Sequence, residues 1–136
     1  MNGTEFSPWR GRLALRVESE PAQVFSAAFE LSGSAPAGAL TLLTPLGTTA
    51  AALSWTPEGS TLRSNVEVRQ FATLGALMRQ TLGAELPIAA LFAWLAGDPV
   101  ASAGWQVDLS QRPNGRITMR RQLPLPVAEL RVVLDQ

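Results

Sequence analysis

Residues 11–17 alternate, with Leu13, Leu15 and Val17 on one side and Arg12, Ala14 and Arg16 on the other. A period of two with one polar face predicts a half-buried β-strand. After a turn at "SEPA" (19–22), Phe25, Ala27, Phe29 and Leu31 alternate with Ser26, Ala28, Glu30 and Ser32. "GSAPAG" (33–38) turns the chain again, and Leu40 and Leu42 then alternate with Thr41 and Leu43, so both faces of this strand are fairly apolar. Beyond Pro45-Leu46-Gly47 a fourth strand sets Thr49, Ala51, Leu53 and Trp55 against Ala50, Ala52, Ser54 and Thr56, and "TPEG" (56–59) closes it. A weaker hairpin follows, with residues 61–63 and 66–68 as its arms and Ser64-Asn65 as its turn.

The period then changes. Thr73 is placed to cap a helix carrying Leu74, Leu77, Met78 and Leu82 on one stripe, and Gly83 is placed to end it. Pro87 suits the first turn of a second helix, in which Ile88, Leu91, Phe92 and Leu95 follow the i, i+3, i+4, i+7 spacing until Gly97-Asp98-Pro99 stops it. Strands resume at 105–109, 115–123 and 129–135, separated by the turn signals "RPNG" (112–115) and "LPLP" (123–126). There is no internal repeat and no linker. Residues 1–8 are unpatterned and read as a disordered terminus or a cloning scar, and residues 9–136 read as one domain.

An antiparallel sheet of about nine strands has to curl or close, because long open edges invite association. The predicted fold is therefore mainly β: a curved, incompletely closed antiparallel β-barrel, with a short helical lid over an apolar cavity on its concave face.

Composition narrows the chemistry. Formal net charge is zero, so the chain offers neither an electrostatic footprint for nucleic acid nor a polybasic patch for anionic lipid. All 11 basic residues are arginine, and cysteine and histidine are absent. That removes the common metal ligands, thiol nucleophiles, Schiff-base lysines and the usual general base near neutral pH. No metal or cofactor is expected, and the chain reads as a non-enzyme. Charged residues make up only 16% of it, low against about a quarter for a typical soluble domain. Either the core is large or apolar surface faces a ligand. No apolar run reaches the length of a membrane-spanning helix, and the opening residues are not read as a secretory signal.

No catalytic constellation stands out. Asp108 and Glu30 read as solvated strand residues, the glycines at 33, 38, 47 and 59 as turn residues, and Arg116, Arg120 and Arg121 as a surface cluster along one strand. Phe25, Phe29, Trp55, Phe92, Trp94 and Trp105 fall on or beside inward faces. They are either plain core or the lining of a cavity, since apolar cavities stay dry and accept hydrocarbon.

Seven segments together resemble one family. "GRLALRVE" (11–18), "FSAAFEL" (25–31), "LTLLTPLGTTAAAL" (40–53), "PIAALFAWLAG" (87–97), "GWQVDLS" (104–110), "GRITMRR" (115–121) and "ELRVVLD" (129–135) resemble, in order, the LolB family of outer-membrane lipoprotein receptors. The resemblance implies a half-open barrel whose apolar cavity holds acyl chains. It further implies acceptance of acylated lipoproteins from a soluble, LolA-like periplasmic carrier and their insertion into the outer membrane. A leucine protruding between two early strands is needed for insertion in that family, and Leu46, between Pro45 and Gly47, occupies the matching position. Family members sit on the periplasmic face of the outer membrane through a lipidated N-terminal cysteine, which this chain lacks. It is read as a soluble, monomeric form without the anchor, the other reading being a naturally unanchored homologue.

The expected cavity wall combines Leu13, Leu15, Phe25, Phe29, Leu42, Leu53 and Trp55 from the sheet with Leu77, Leu91, Phe92 and Leu95 from the lid. Two rival readings stand beside it. One is an interaction module with a filled core and a partner-binding edge strand; the other is a small serine hydrolase, disfavoured by the missing histidine.

Overall fold

The structure, a computed structural model, describes residues 9–135; the segment 1–8, expected to be disordered, lies outside the described residues. Six strands come first: β1 (Trp9–Val17), β2 (Gln23–Gly33), β3 (Gly38–Leu43), β4 (Thr49–Thr56), β5 (Gly59–Ser64) and β6 (Val68–Phe71). Two helices follow, α1 (Leu74–Leu82) and α2 (Ile88–Leu95), then β7 (Trp105–Asp108), β8 (Arg116–Arg121) and β9 (Ala128–Leu134). All pairings are antiparallel, in the order β6-β5-β4-β3-β2-β1-β9-β8-β7.

That order explains the architecture. The first six strands meander away from β1, and β9 returns to pair with β1 on its other side. The first and last strands thus meet in mid-sheet, and the edges are β6 and β7, which do not pair with each other. The sheet stays unclosed. The chain between the two edges, residues 72–104, contains both helices and has to cross from one edge to the other. Crossing over the concave face buries the apolar side of the helices and of the sheet at once.

The inner face follows the period-two pattern across strands. Leu15 pairs with Phe25 and Leu130, Phe29 with Leu42, Leu40 with Leu31 and Leu53, and Met119 with Leu130. Helix α1 begins and ends as its sequence requires. The Thr73 hydroxyl accepts the Ala76 N–H at 3.1 Å, and Gly83 takes a left-handed φ of 82°.

Three expectations need correction. The β5–β6 turn is wider than Ser64-Asn65: the Ser64 N–H reaches the Glu67 carbonyl at 2.9 Å, so β6 begins at Val68 and Val66 lies in the turn. Arg116, Arg120 and Arg121 do not share a face, because consecutive strand residues point to opposite sides. Arg121 is buried on the inner side with Ile117 and Met119. The buried stripe of α2 is Ala90, Leu91, Trp94 and Leu95, while Ile88 and Phe92 are half-buried. The stripe rotates because the chain after α2 folds back over Trp94, whose Nε1–H donates to the Val100 carbonyl at 2.9 Å and whose ring lies 6.3 Å from that of Trp105.

Removing the α1 cap with Thr73→Ala should lower the unfolding free energy by about 1 kcal/mol. Met119→Ala, at a fully buried site, should lower it by about 2–5 kcal/mol. Urea unfolding followed by tryptophan fluorescence checks both.

Candidate functional site

The seam between the concave face and the helices is built from apolar side chains. A residual cavity of ≈ 20 Å³ lies inside it, lined by Leu13, Phe29, Leu31, Leu40, Met78, Leu86, Ile88, Leu91, Leu95, Leu130 and Val132. That is room for about one water molecule, far from an acyl chain. With the helices in this position, the interior is a filled core.

Of the expected lining residues, Leu13, Phe29, Leu91 and Leu95 surround this cavity. Leu15, Leu42, Leu53 and Leu77 are buried in the same core away from it, and Phe25 and Phe92 pack half-buried against its flank. Trp55 is likewise buried in that core, away from the cavity. Its Nε1–H is shared between the carbonyls of Ser34 at 3.1 Å and Ala35 at 2.9 Å, which pins the β2–β3 turn.

Sequence reasoning left several wall residues out of the site. Leu130 and Val132 do alternate within "ELRVVLD", but nothing local says that β9 lies beside β1. Leu86 follows Gly83 outside either helix, with its N–H 3.2 Å from the Met78 sulfur, and no periodicity marks it.

An outward groove of ≈ 580 Å³ runs between the two helices and the segment after them; its lining includes Leu74, Met78, Leu86, Ile88, Ala93 and Val100. Met78, Leu86 and Ile88 line both the groove and the inner cavity, so these three side chains form the partition between them. Hydrogen bonds fasten the helical segment near its two ends. The Ser60 hydroxyl donates to the Thr73 carbonyl at 2.9 Å, and Arg112 Nε to the Leu95 carbonyl at 2.8 Å.

The Pro45-Leu46-Gly47 connection is a three-residue hairpin loop. The Gly47 N–H donates to the Thr44 carbonyl and the Thr44 N–H to the Thr48 carbonyl, each at 2.9 Å, while the two threonine hydroxyls meet at 2.8 Å. Gly47 supplies the left-handed corner at φ 86°. Leu46, held at the tip of this closed loop, is 91% exposed.

The charged candidates are occupied locally. Glu30 pairs with Arg10 at 3.4 Å, and Arg120 with Glu129 at 3.3 Å and Glu18 at 3.6 Å. Hydrogen bonds from the Ser110 hydroxyl and backbone N–H hold the Asp108 carboxyl below its ordinary value, which marks a solvated turn cap. Among the described residues, no group of three or more potential metal ligands occurs, and no helix is long and apolar enough to cross a membrane.

The family model described as "Outer membrane lipoprotein LolB" matches residues 7–125 of this chain. The "Outer-membrane lipoprotein LolB" of Cupriavidus metallidurans is 37% identical over 84 residues, 61% of this chain and 40% of that protein. The matched stretch thus spans less than half the length of this relative.

Leu46→Ser should leave the unfolding free energy unchanged within about 0.5 kcal/mol, since the side chain is already in water. Leu91→Ala should cost about 2–5 kcal/mol. Chemical denaturation distinguishes the two, and a loss above about 1 kcal/mol at Leu46 would make it a core residue.

Proposed function

This chain belongs to the LolB family, and from that premise we propose that it is an outer-membrane lipoprotein receptor. It accepts acylated lipoproteins from a LolA-like periplasmic carrier and inserts them into the outer membrane from its periplasmic face, without covalent chemistry. The observation that carries the proposal is the apolar seam closed by a helical segment whose hydrogen bonds to the rest of the chain lie near its ends.

The energetics suit transfer. Each methylene left in water costs an acyl chain about 0.8 kcal/mol, so the cargo needs cover throughout its passage. Entry would run from the outer groove past Met78, Leu86 and Ile88, displacing the helices from the sheet. Acyl carbons then replace leucine, methionine and phenylalanine carbons against the inner face, apolar contact for apolar contact. The expected wall of Leu13, Leu15, Phe25, Phe29, Leu42, Leu53 and Trp55, with Leu77, Leu91, Phe92 and Leu95, belongs to this opened state. Hydrocarbon held there is close in free energy to hydrocarbon among lipid tails. Release into a bilayer is then nearly balanced and follows mass action.

Leu46 contributes at the last step. Burying one leucine yields about 1.5–3 kcal/mol, and even a myristoyl chain gives only marginal attachment. A single leucine therefore orients an attached protein and loosens lipid packing near the seam, without anchoring anything.

The reading as a protein-interaction module draws on the filled interior and on the exposed β6 edge at Val68, Arg69 and Gln70. Fluorescence of bis-ANS separates the two. Saturable binding displaced by an acylated peptide, and not by the same peptide without its acyl chain, supports the receptor; no saturable binding supports the module. Leu46→Glu should keep acyl-peptide binding within about twofold of the unmutated protein, because the side chain lines neither the inner cavity nor the outer groove. It should slow lipoprotein insertion into vesicles about tenfold or more, and an unchanged rate would sink the role assigned to Leu46.

A further inference from the structure

The strand directions sort the connections into two ends. The β1–β2, β3–β4, β5–β6 and β8–β9 connections lie together at one end of the sheet, and the β2–β3, β4–β5 and β7–β8 connections at the other. Exposed large apolar side chains follow that division. Val24, Leu46, Val66, Val68, Leu123 and Leu125 are each more than half exposed, and all lie in or beside the connections of the first end. At the opposite end the described connections present none; the remaining exposed one, Val133, is on the outer face of β9 facing Arg12 and Arg116.

The exposure is held by structure. In the β8–β9 connection, Arg121 Nη2 donates to the Pro126 carbonyl, the Gln122 N–H to the Gly104 carbonyl and the Glu18 N–H to the Val127 carbonyl, each at 2.8 Å. Gly104 lies so close beneath it that a Cβ there would sit 1.9 Å from the Leu123 carbonyl oxygen. Leu123 and Leu125 thus project from a braced loop, as Leu46 does from its hydrogen-bonded hairpin.

We infer that this whole rim, and not Leu46 alone, is a contact surface for the lipid bilayer. The inference rests on the membrane role proposed above and extends it to three further connections. Separate tips strung along the arc of a nine-stranded sheet suit a planar fluid surface, which accepts contacts at any spacing. A protein partner instead needs a contiguous, complementary patch. Glu18, Glu20 and Glu67 lie in these connections and Arg16, Arg63 and Arg69 in the adjoining strand ends, so the signs balance and apolar insertion rather than attraction to anionic lipid drives the contact. Binding should therefore depend little on salt.

The absence of cysteine makes the test direct. Single variants Leu46→Cys, Val66→Cys, Leu125→Cys and, at the far end, Glu58→Cys are labelled with the environment-sensitive dye NBD and mixed with excess phosphatidylcholine vesicles. Blue-shifted, brighter emission is expected at the three rim positions and not at 58. A response at 46 alone, at all four positions or at none overturns the inference, as does a response to a carrier protein without one to vesicles. The double variant Leu123→Ser/Leu125→Ser should lower vesicle partitioning about tenfold or more while leaving far-UV circular dichroism and acyl-peptide binding unchanged. Unmutated protein that binds acylated peptide without any rim response defeats the rim alone. Rim responses without acyl-peptide binding defeat the receptor reading instead.

Discussion

The contact that the rest of this structure depends on is the apolar seam between the concave face of the sheet and the two helices. A nine-stranded sheet with unpaired edges cannot hide its inner face from water by itself. The edge strands β6 and β7 are four residues each, and among the described residues the chain joining them is the one segment free to cover that face. Helix placement is thus a consequence of where the sheet fails to close. Helices of nine and eight residues would be marginal alone, and their stability comes from the leucines and Trp94 that they bury.

The same seam sets the terms for function. Side chains that hold the closed state together are chemically equivalent to the acyl carbons proposed to replace them, so opening exchanges one set of dispersion contacts for another. The polar ties sit where they do not oppose that exchange. Ser60 holds the chain at Thr73 and Arg112 holds it at Leu95, while Met78, Leu86 and Ile88 between them are kept in place by apolar packing and a weak N–H contact to sulfur. In the proposed opening, a segment fastened near its ends and packed in its middle lifts without losing its place on the sheet.

Arginine serves here as a structural tie as much as a surface charge. Arg112 donates to a helix carbonyl and lies 5.9 Å from the Trp9 ring centre, and Arg121, buried at the end of β8, donates to the carbonyl of Pro126. The two arginines use the group differently: Arg112 combines an edge donor with a face over a ring, which lysine does not supply, and Arg121 directs one donor of a buried guanidinium to a carbonyl. They also brace different parts of the protein, the helical segment in one case and the rim in the other.

The local elements were legible in the sequence because each is specified by neighbours a few residues apart. Alternation marked the inward faces of β1 to β4, Thr73 and Gly83 bounded α1, and Pro45-Leu46-Gly47 announced a turn. Where a position has two local readings, the pattern failed: Val66 looked like a strand residue and lies in a turn, and Arg121 looked like one more surface arginine and is buried. Leu130, Val132 and Leu86 joined the seam unannounced, because their neighbours come from strands and helices distant in the chain. What the sequence determined by itself is the set of elements and the inward side of β1 to β4, since periodicity and capping act over a few residues. What only the tertiary structure decided is which faces meet, that the interior is filled with the helices down, and that the exposed apolar tips gather at one end. Those depend on strand order and on the meeting of β1 with β9, a contact between the first and last strands that no local pattern encodes.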